Sequence, residues 1–404
     1  MDQSPDREVL RELVRFMKSG HYLGTARFPA LMRPVWLMPL EFQTVLEYLR
    51  GRTSPFTPTA LPTLYGRSWF RKHPLARFLY DLFYLNRPVP ATEAGSRIEK
   101  DLLEDLHGTG MLATKDGMTR SVFRLVPWGD SVFLSDPDQG NERTTVRYVY
   151  VGGDSVVLAD FVRRTMLHRE YERGLDLCAG TAFQGHNMRN RCGEVMAAEY
   201  NPRAVDFARA TLYANEVPDT FSVVQSDLWE NVEGTYDLIV SNPPYYPASE
   251  ELRNTRILDV FGGEDHGMEK PLSIFDGFGH YLRHGGRGAI LAASPVCGRD
   301  DVLPDRLEPL ARKHGLETVL YPWKYTNMRL DPGYQVKHDI DHLIHYIVHT
   351  VRSGSGGVAV AGYPFLKRLI ERSQIALQKK MPSWPRGQEQ VLHGCPSAES
   401  ASGV

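Results

Sequence analysis

The sequence predicts an α/β protein: a seven-stranded, doubly wound sheet, preceded by an α-rich N-terminal domain that ends in a small β-sheet. Three observations carry this. From Gly174 onward short apolar segments alternate with helical ones at the spacing of a parallel sheet. Before residue 110 the apolar residues recur at helical spacing, and between about 110 and 151 the period shortens towards two. With 404 residues the chain has room for two domains, and 42% hydrophobic against 24% charged residues excludes collagen-like and wholly disordered classes.

In the N-terminal part, Leu10, Leu13, Val14, Phe16 and Met17 mark one helix, and Leu40, Phe42, Val45, Leu46 and Leu49 another. A turn-rich stretch over 51–62 separates these from helices at 75–85 and 99–106. Strands are expected at 122–126, 131–134 and 146–151, then a helix at 155–167. The seven sheet strands fall at 174–178, 194–199, 221–224, 236–241, 288–292, 317–321 and 343–348. The clearest helices between them are 202–214, with Pro202 in its first turn, and 272–282. The domain limits are thus 1–150, for substrate recognition or as a lid, and 151–352, followed by a C-terminal helix within 353–380 and a disordered tail over 381–404.

Charge and cysteine content narrow the setting. Lys plus Arg number 47 against 49 Asp plus Glu, so the whole chain has no positive excess to hold a polyanion. Residues 1–100 carry 15 Lys/Arg and 9 Asp/Glu, a surplus of 6 that fits either an anionic partner or a solvated helix face. Four cysteines, Cys178, Cys192, Cys297 and Cys395, without a C-x-x-C pair indicate a reducing, cytoplasmic setting. No signal-peptide pattern and no apolar run of about 20 residues is present, so no membrane partner is expected.

The chemistry lies at the strand ends. Leu175-Asp176-Leu177-Cys178-Ala179-Gly180-Thr181-Ala182 runs from a strand through small residues into a helix, which lets a ligand approach the backbone and the helix N–H groups. Glu199 ends the next strand 19 positions after Gly180, where doubly wound folds place a carboxylate for ribose hydroxyls. Asp227 follows the third strand, within reach of an adenine amine. Ser241-Asn242-Pro243-Pro244-Tyr245 follows the fourth strand at the crevice edge. The Asn242 oxygen and the Pro243 carbonyl are two acceptors for the hydrogens of a planar NH₂, and Tyr245 offers a flat face. Such an arrangement aims a poorly nucleophilic nitrogen at an electrophilic methyl group, so orientation and electrostatics do the work.

These motifs resemble the successive elements of class I S-adenosylmethionine-dependent methyltransferases. They are most similar to the small-domain branch with release-factor glutamine and ribosomal-RNA guanine N2-methyltransferases. The resemblance covers about residues 150–350, and Asn242 to Tyr245 is its most specific part. It implies a Rossmann-like methyltransferase sheet and S-adenosylmethionine as cofactor. It also implies that Asp176 and Gly180 contact the methionine moiety, Glu199 the ribose, Asp227 and Leu228 the adenine, and Asn242 with Tyr245 the target nitrogen. Cys178, Thr181 and Tyr200, in the same stretches, and Asn242 as well complete the implied cofactor wall. One departure stands out: the family often has three alternating glycines in the first motif, whereas this chain has Cys178, Gly180 and Ala182.

Other patterns carry less. His338, His342, His345 and His349 have the spacing of a helical metal face, but Leu343 to Val348 reads as a strand that would point His342 and His345 apart, so no metal is expected. Gly262-Gly263-Glu264-Asp265-His266-Gly267 is either a substrate lid or a connecting turn, and Trp323 to Asn327 either lines the acceptor pocket or packs. The expected activity is methyl transfer to a planar or primary nitrogen of a protein glutamine, an RNA base or a small amine. The alternatives are a small-molecule biosynthetic enzyme, for amine methylation or aminobutyl cyclisation, and a non-catalytic binding module.

Overall fold

The computed structural model describes residues 5–26, 69–137, 149–254, 260–298, 300–328 and 331–362. The helical stretch at 40–49, the turn-rich stretch, the C-terminal helix and the tail lie outside these residues.

In the N-terminal part, helix α1 (Arg7–Ser19) is capped by Asp6, whose carboxylate accepts from the Glu8 and Val9 amides, and it buries Leu10, Leu13, Val14 and Met17. The expected helix at 75–85 is α-helical over Pro74–Leu79 and continues as a π-helical turn over Tyr80–Tyr84. Strands β1 (Val89–Pro90), β2 (Leu112–Lys115) and β3 (Met118–Ser121) make a small sheet in the order β1-β3-β2. Strands β4 (Arg124–Trp128) and β5 (Ser131–Ser135) form a separate hairpin around Gly129, whose φ of 60° suits the tight turn. The strand expected at 146–151 is not found: residues 149–151 are irregular, and the rest lies outside the described residues.

The large sheet holds the seven expected strands and two more. They are β6 (Tyr171–Leu177), β7 (Cys192–Glu199), β8 (Phe221–Gln225), β9 (Tyr236–Ser241), β10 (Leu282–Cys297), β11 (Asp300–Asp301), β12 (Leu316–Thr326), β13 (His342–Arg352) and β14 (Gly357–Val360). The order is β14-β12-β13-β10-β9-β6-β7-β8, with β11 on β10. Strands β8, β7, β6, β9 and β10 run parallel, and β13 lies antiparallel between β10 and β12. β14 adds a parallel edge strand where a Gly/Ser-rich linker was expected.

The chain leaves β6 towards β7 on one side and later returns through β9 on the other, so the order reverses between β6 and β9. A crevice opens at such a reversal, outside the carboxyl ends of the strands. The register brings those ends level: Leu177 pairs with Ala198 and with Ser241, and Glu199 with Gln225.

The N-terminal part shares a core with helices that pack on the large sheet. The helix Pro202–Ala214, labelled α2 here, places Phe207, Ala210 and Ala214 among Leu10, Leu13, Phe123 and Phe133. It also satisfies the outer edge of β5. The Val132 amide donates to Asn215 Oδ1 at 3.0 Å, Asn215 Nδ2 to the Val132 carbonyl at 2.7 Å, and the Leu134 amide to Thr211 Oγ1 at 3.2 Å.

The buried His186 and His345 and the partly buried His349 give the fold a pH dependence. Burial pushes His186 and His345 down to about 3 and His349 to about 4. Each is therefore neutral in the folded chain, whereas in the unfolded chain it protonates below about pH 6.5. Their contribution is complete above that pH and is lost as the pH falls towards 4 and then 3. Urea unfolding should show a lower midpoint at pH 5 than at pH 7, with the difference reduced in His349→Gln.

Candidate active site

The site is built where β6, β7 and β9 end. After β6 the backbone turns through three left-handed positions, Cys178 (φ 58°), Gly180 (φ 55°) and Ala182 (φ 60°). The left-handed turn is thus kept at the two positions where glycine is absent, at a cost of about 1–2 kcal/mol each. A Cβ at Gly180 would meet nothing within 4 Å, so open space lies in front of the turn. Behind it the short helix Phe183–Met188 packs on β6, and a Cβ at Gly185 would lie 2.6 Å from the Phe221 ring.

Nine of the eleven expected site residues line one cleft of about 720 Å³: Cys178, Gly180, Glu199, Tyr200, Asp227, Leu228, Asn242, Pro243 and Tyr245. Asp176 and Thr181 do not line it. Asp176 is fully buried behind the turn, where one oxygen accepts from the Gly185 amide at 2.7 Å and the other has no partner. Burial holds its carboxyl well above the usual range. It pins the helix start to the strand, and the expected contact with the cofactor's methionine moiety has no wall position here. Thr181 is buried against Thr211, with 3.0 Å between the hydroxyl oxygens.

Glu199 bridges two segments. One oxygen accepts from the Gly180 amide at 2.7 Å and the other from the Asn201 amide at 2.8 Å. The carboxylate therefore holds the small-residue turn against the start of α2, and it does so on the cleft wall. Burial also pushes the Cys178 thiol up, which keeps it protonated.

Across the cleft, Asn242 follows β9, whose last residue, Ser241, donates its hydroxyl to the Leu177 carbonyl at 2.6 Å. Asn242 Nδ2 donates to Ser155 Oγ at 3.0 Å, which leaves Oδ1 as the free side of the amide; that atom is buried and has no partner. Ser155 is itself held, its amide donating to Asp154 Oδ1 at 2.8 Å and its carbonyl accepting from Gln184 Nε2 at 2.8 Å. The Tyr245 hydroxyl lies 3.4 Å from Asp154 Oδ2, and burial raises its pKa well above the ordinary value.

Several lining residues were not singled out as site residues: Asp154, Ser155, Gln184, Arg253, Lys270 and His345. Asp154 and Ser155 reach Tyr245 and Asn242 from 91 and 87 residues away, a separation that no local pattern bridges. Trp323 and Lys324 both line the cleft. Neighbours on a strand normally face opposite ways, and the register shift between Pro322 and Lys324 is what turns both towards it. The imidazole of His345 sits between Tyr245 and Trp323, 5.8 and 5.5 Å from their ring centroids. Among the described residues no group of three acidic, histidine or cysteine side chains is placed to hold a metal.

Residues 155–258 match the family model of the methyltransferase small domain. A putative protein N5-glutamine methyltransferase of Methanocaldococcus jannaschii is 35% identical over 121 residues, 30% of this chain and 59% of that protein. The release factor glutamine methyltransferase of Mycolicibacterium smegmatis is 34% identical over 128 residues, 29% of this chain and 44% of that protein. The ribosomal RNA small subunit methyltransferase C of Actinobacillus pleuropneumoniae is 31% identical over 97 residues, 24% of this chain and 28% of that protein. The chain spans about half the length of the first two relatives. The small-residue turn, Glu199 and the Asn-Pro-Pro-Tyr segment all fall inside the stretch, residues 155–258, that is similar to the methyltransferase small domain.

Proposed function

We propose that this chain is an S-adenosylmethionine-dependent N-methyltransferase that acts on a planar or primary nitrogen, in the cytoplasm. The observation that carries the reading is the amide of Asn242: its nitrogen is committed to Ser155, and its oxygen is left buried without a partner on the wall of the cleft. A buried acceptor without a donor costs about 1–3 kcal/mol. An entering NH₂ group supplies that donor.

The residues fit the cofactor. The cleft, about 720 Å³, falls in the range of small-molecule sites, and the open space before Gly180 leaves the backbone accessible to a ligand. Glu199 would hold the ribose with the carboxylate it presents on the cleft wall. Asp227 and Leu228 would hold the adenine. S-adenosylmethionine supplies a methyl group on a sulfonium, electrophilic without further activation. The protein's part is to place the acceptor: the Asn242 oxygen and the Pro243 carbonyl take the hydrogens of the NH₂ group, and Tyr245, Trp323 and His345 wall the space around it. Carboxylate oxygens of Asp154 lie beside Tyr245, within the same polar network, as the nitrogen gains positive charge.

The names of the relatives support a planar nitrogen as acceptor. Their names give a glutamine amide in two cases and ribosomal RNA in the third, and a glutamine amide is a planar nitrogen of the kind two acceptors can orient. Incubation with methyl-labelled cofactor and separate protein, RNA and small-molecule fractions tests the proposal. Label in one fraction, with S-adenosylhomocysteine as co-product, supports it. Methylthioadenosine as co-product would point to aminobutyl chemistry, and absence of cofactor binding would point to a binding module. Glu199→Ala should raise the calorimetric Kd for S-adenosylhomocysteine about tenfold or more, from lost charge-assisted hydrogen bonds of about 1.5–3 kcal/mol. Turnover at saturating cofactor should change less.

A further inference from the structure

The segment 260–268 bears on the Asn-Pro-Pro-Tyr segment in a way that neither a lid nor a plain turn describes. The residues after Asn242 form no regular strand, so their backbone groups need other partners. They find them here. The Tyr245 and Tyr246 amides both donate to the Val260 carbonyl, at 3.1 and 2.8 Å, and the Gly262 amide donates to the Tyr246 carbonyl at 3.1 Å. Tyr246 and Phe261 form a parallel bridge.

Two glycines make this approach possible. A Cβ at Gly262 would lie 1.9 Å from the Gly267 carbonyl oxygen and 2.8 Å from Tyr245 Cα. A Cβ at Gly267 would lie 2.7 Å from the Pro247 nitrogen and the Tyr246 carbonyl carbon. The backbone between them is left-handed at Gly263 (φ 88°), Asp265 (φ 46°), His266 (φ 56°) and Gly267 (φ 82°). Two of these are not glycine, and such strain persists only where the surroundings over-determine it.

The surroundings do. The Glu264 amide donates to Glu269 Oε2 at 2.7 Å, Arg306 pairs with Asp265 at 3.0 Å, and His266 Nδ1 lies 3.0 Å from the Tyr334 hydroxyl. The Lys270 amide donates to the Gly262 carbonyl at 3.1 Å, which fixes the start of the next helix, Glu269–Tyr281.

We propose that residues 260–268 are a rigid clasp on Asn242-Pro243-Pro244-Tyr245, with Gly262 and Gly267 as positioning residues that set where the Asn242 amide and the Tyr245 ring stand. The clasp rests on the function proposed above for its effect on methyl transfer, but its rigidity is independent of that function.

Hydrogen exchange read by mass spectrometry on the ligand-free full chain tests the rigidity. Expected are the Tyr245 and Tyr246 amides and those at 260–268 exchanging at least about 100-fold more slowly than in the unfolded chain. In Gly267→Ala the protection of both segments should fall at least about tenfold, with 236–241 unchanged and the Kd for S-adenosylhomocysteine within about threefold. Turnover should fall by about tenfold or more. Gly117→Ala, also at a positive φ (74°) but with nothing within 4 Å of the new Cβ, should leave all of these unchanged. If Gly267→Ala fails to fold, Arg306→Gln removes the outer tie without a clash, and faster exchange at 260–268 and at Tyr245 and Tyr246 is expected. Free exchange in the ligand-free chain that becomes protected only with S-adenosylhomocysteine would overturn the clasp in favour of a lid. So would unchanged exchange at Tyr245 and Tyr246 in the variant that folds. Failure of the wild-type chain to bind S-adenosylhomocysteine would overturn the proposed function and leave the exchange result standing.

Discussion

Asn242→Ala should lower methyl transfer by about 10²–10³-fold, while the Kd for S-adenosylhomocysteine stays within about twofold. The size follows from what the amide does. A preorganised group aimed at developing charge contributes about 2.7–4 kcal/mol when it acts mainly in the transition state. Asn242 fits that description because Ser155 takes its nitrogen at 3.0 Å and leaves only the oxygen for the substrate. Ser155→Ala removes that hold and keeps the oxygen, so a loss of only about fivefold is expected, the worth of one hydrogen bond near 1 kcal/mol. Single-turnover rates with labelled cofactor, set beside calorimetric Kd values, separate the two effects. If cofactor affinity fell as far as the rate in Asn242→Ala, the residue would belong to the cofactor's half of the cleft and the assignment of the acceptor site would fail.

The parts of this site that were legible in the sequence are those whose signal is local. Glu199 ends a strand and Gly180, Asp227 and Asn242 lie within three residues after one, and because parallel strands of one sheet carry their carboxyl ends on one edge, the topology alone gathers them. Asp176 shows where that argument stops. It stands two residues before Cys178 in the same motif, but its side chain turns to the helix that packs on β6, where one oxygen accepts from the Gly185 amide and the other has no partner. The contacts of Ser155 and Asp154 were not legible for another reason: their partners lie 87 and 91 residues away, and contact at that distance is a product of packing. The stretch 262–267 advertised its glycines, which announce unusual backbone without saying whether it is loose or pressed against something. The Gly262 bond to Tyr246, beside the bonds from Tyr245 and Tyr246 to Val260, decides that. Strand β14 escaped notice because its four residues follow a Gly/Ser-rich run and gain their partner only from β12.

Asp136→Ala should destabilise the chain by about 3–5 kcal/mol, the cost of leaving a mostly buried guanidinium without its partner. Asp136 Oδ1 accepts from Arg203 Nη2 at 2.6 Å, with the two side chains only 10% and 14% exposed. Its other oxygen accepts from the Val149 amide at 2.9 Å, and the Arg203 guanidinium lies 4.5 Å from the Phe207 ring centroid. The pair joins three things that the sequence separates: the end of the β4–β5 hairpin, the segment entering the large sheet, and the first turn of α2. Charge alone does not explain the predicted loss, since an apolar pair of similar volume would satisfy the same space. Asp136→Ala combined with Arg203→Met should therefore recover most of the stability lost by Asp136→Ala alone, and urea unfolding of the four species measures the coupling. The consequence reaches the site, because Val149 and Asn201 line the cleft and Asn201 donates its amide to Glu199. Asp136→Ala should thus also weaken S-adenosylhomocysteine binding, whereas Arg87→Ala, which removes an exposed pair with Asp81, should change stability by less than about 1 kcal/mol and leave binding alone. If Asp136→Ala cost no more than Arg87→Ala, the shared core around Phe207 would be holding the two parts together without help from the ion pair, and the N-terminal part would meet the cleft through apolar packing alone.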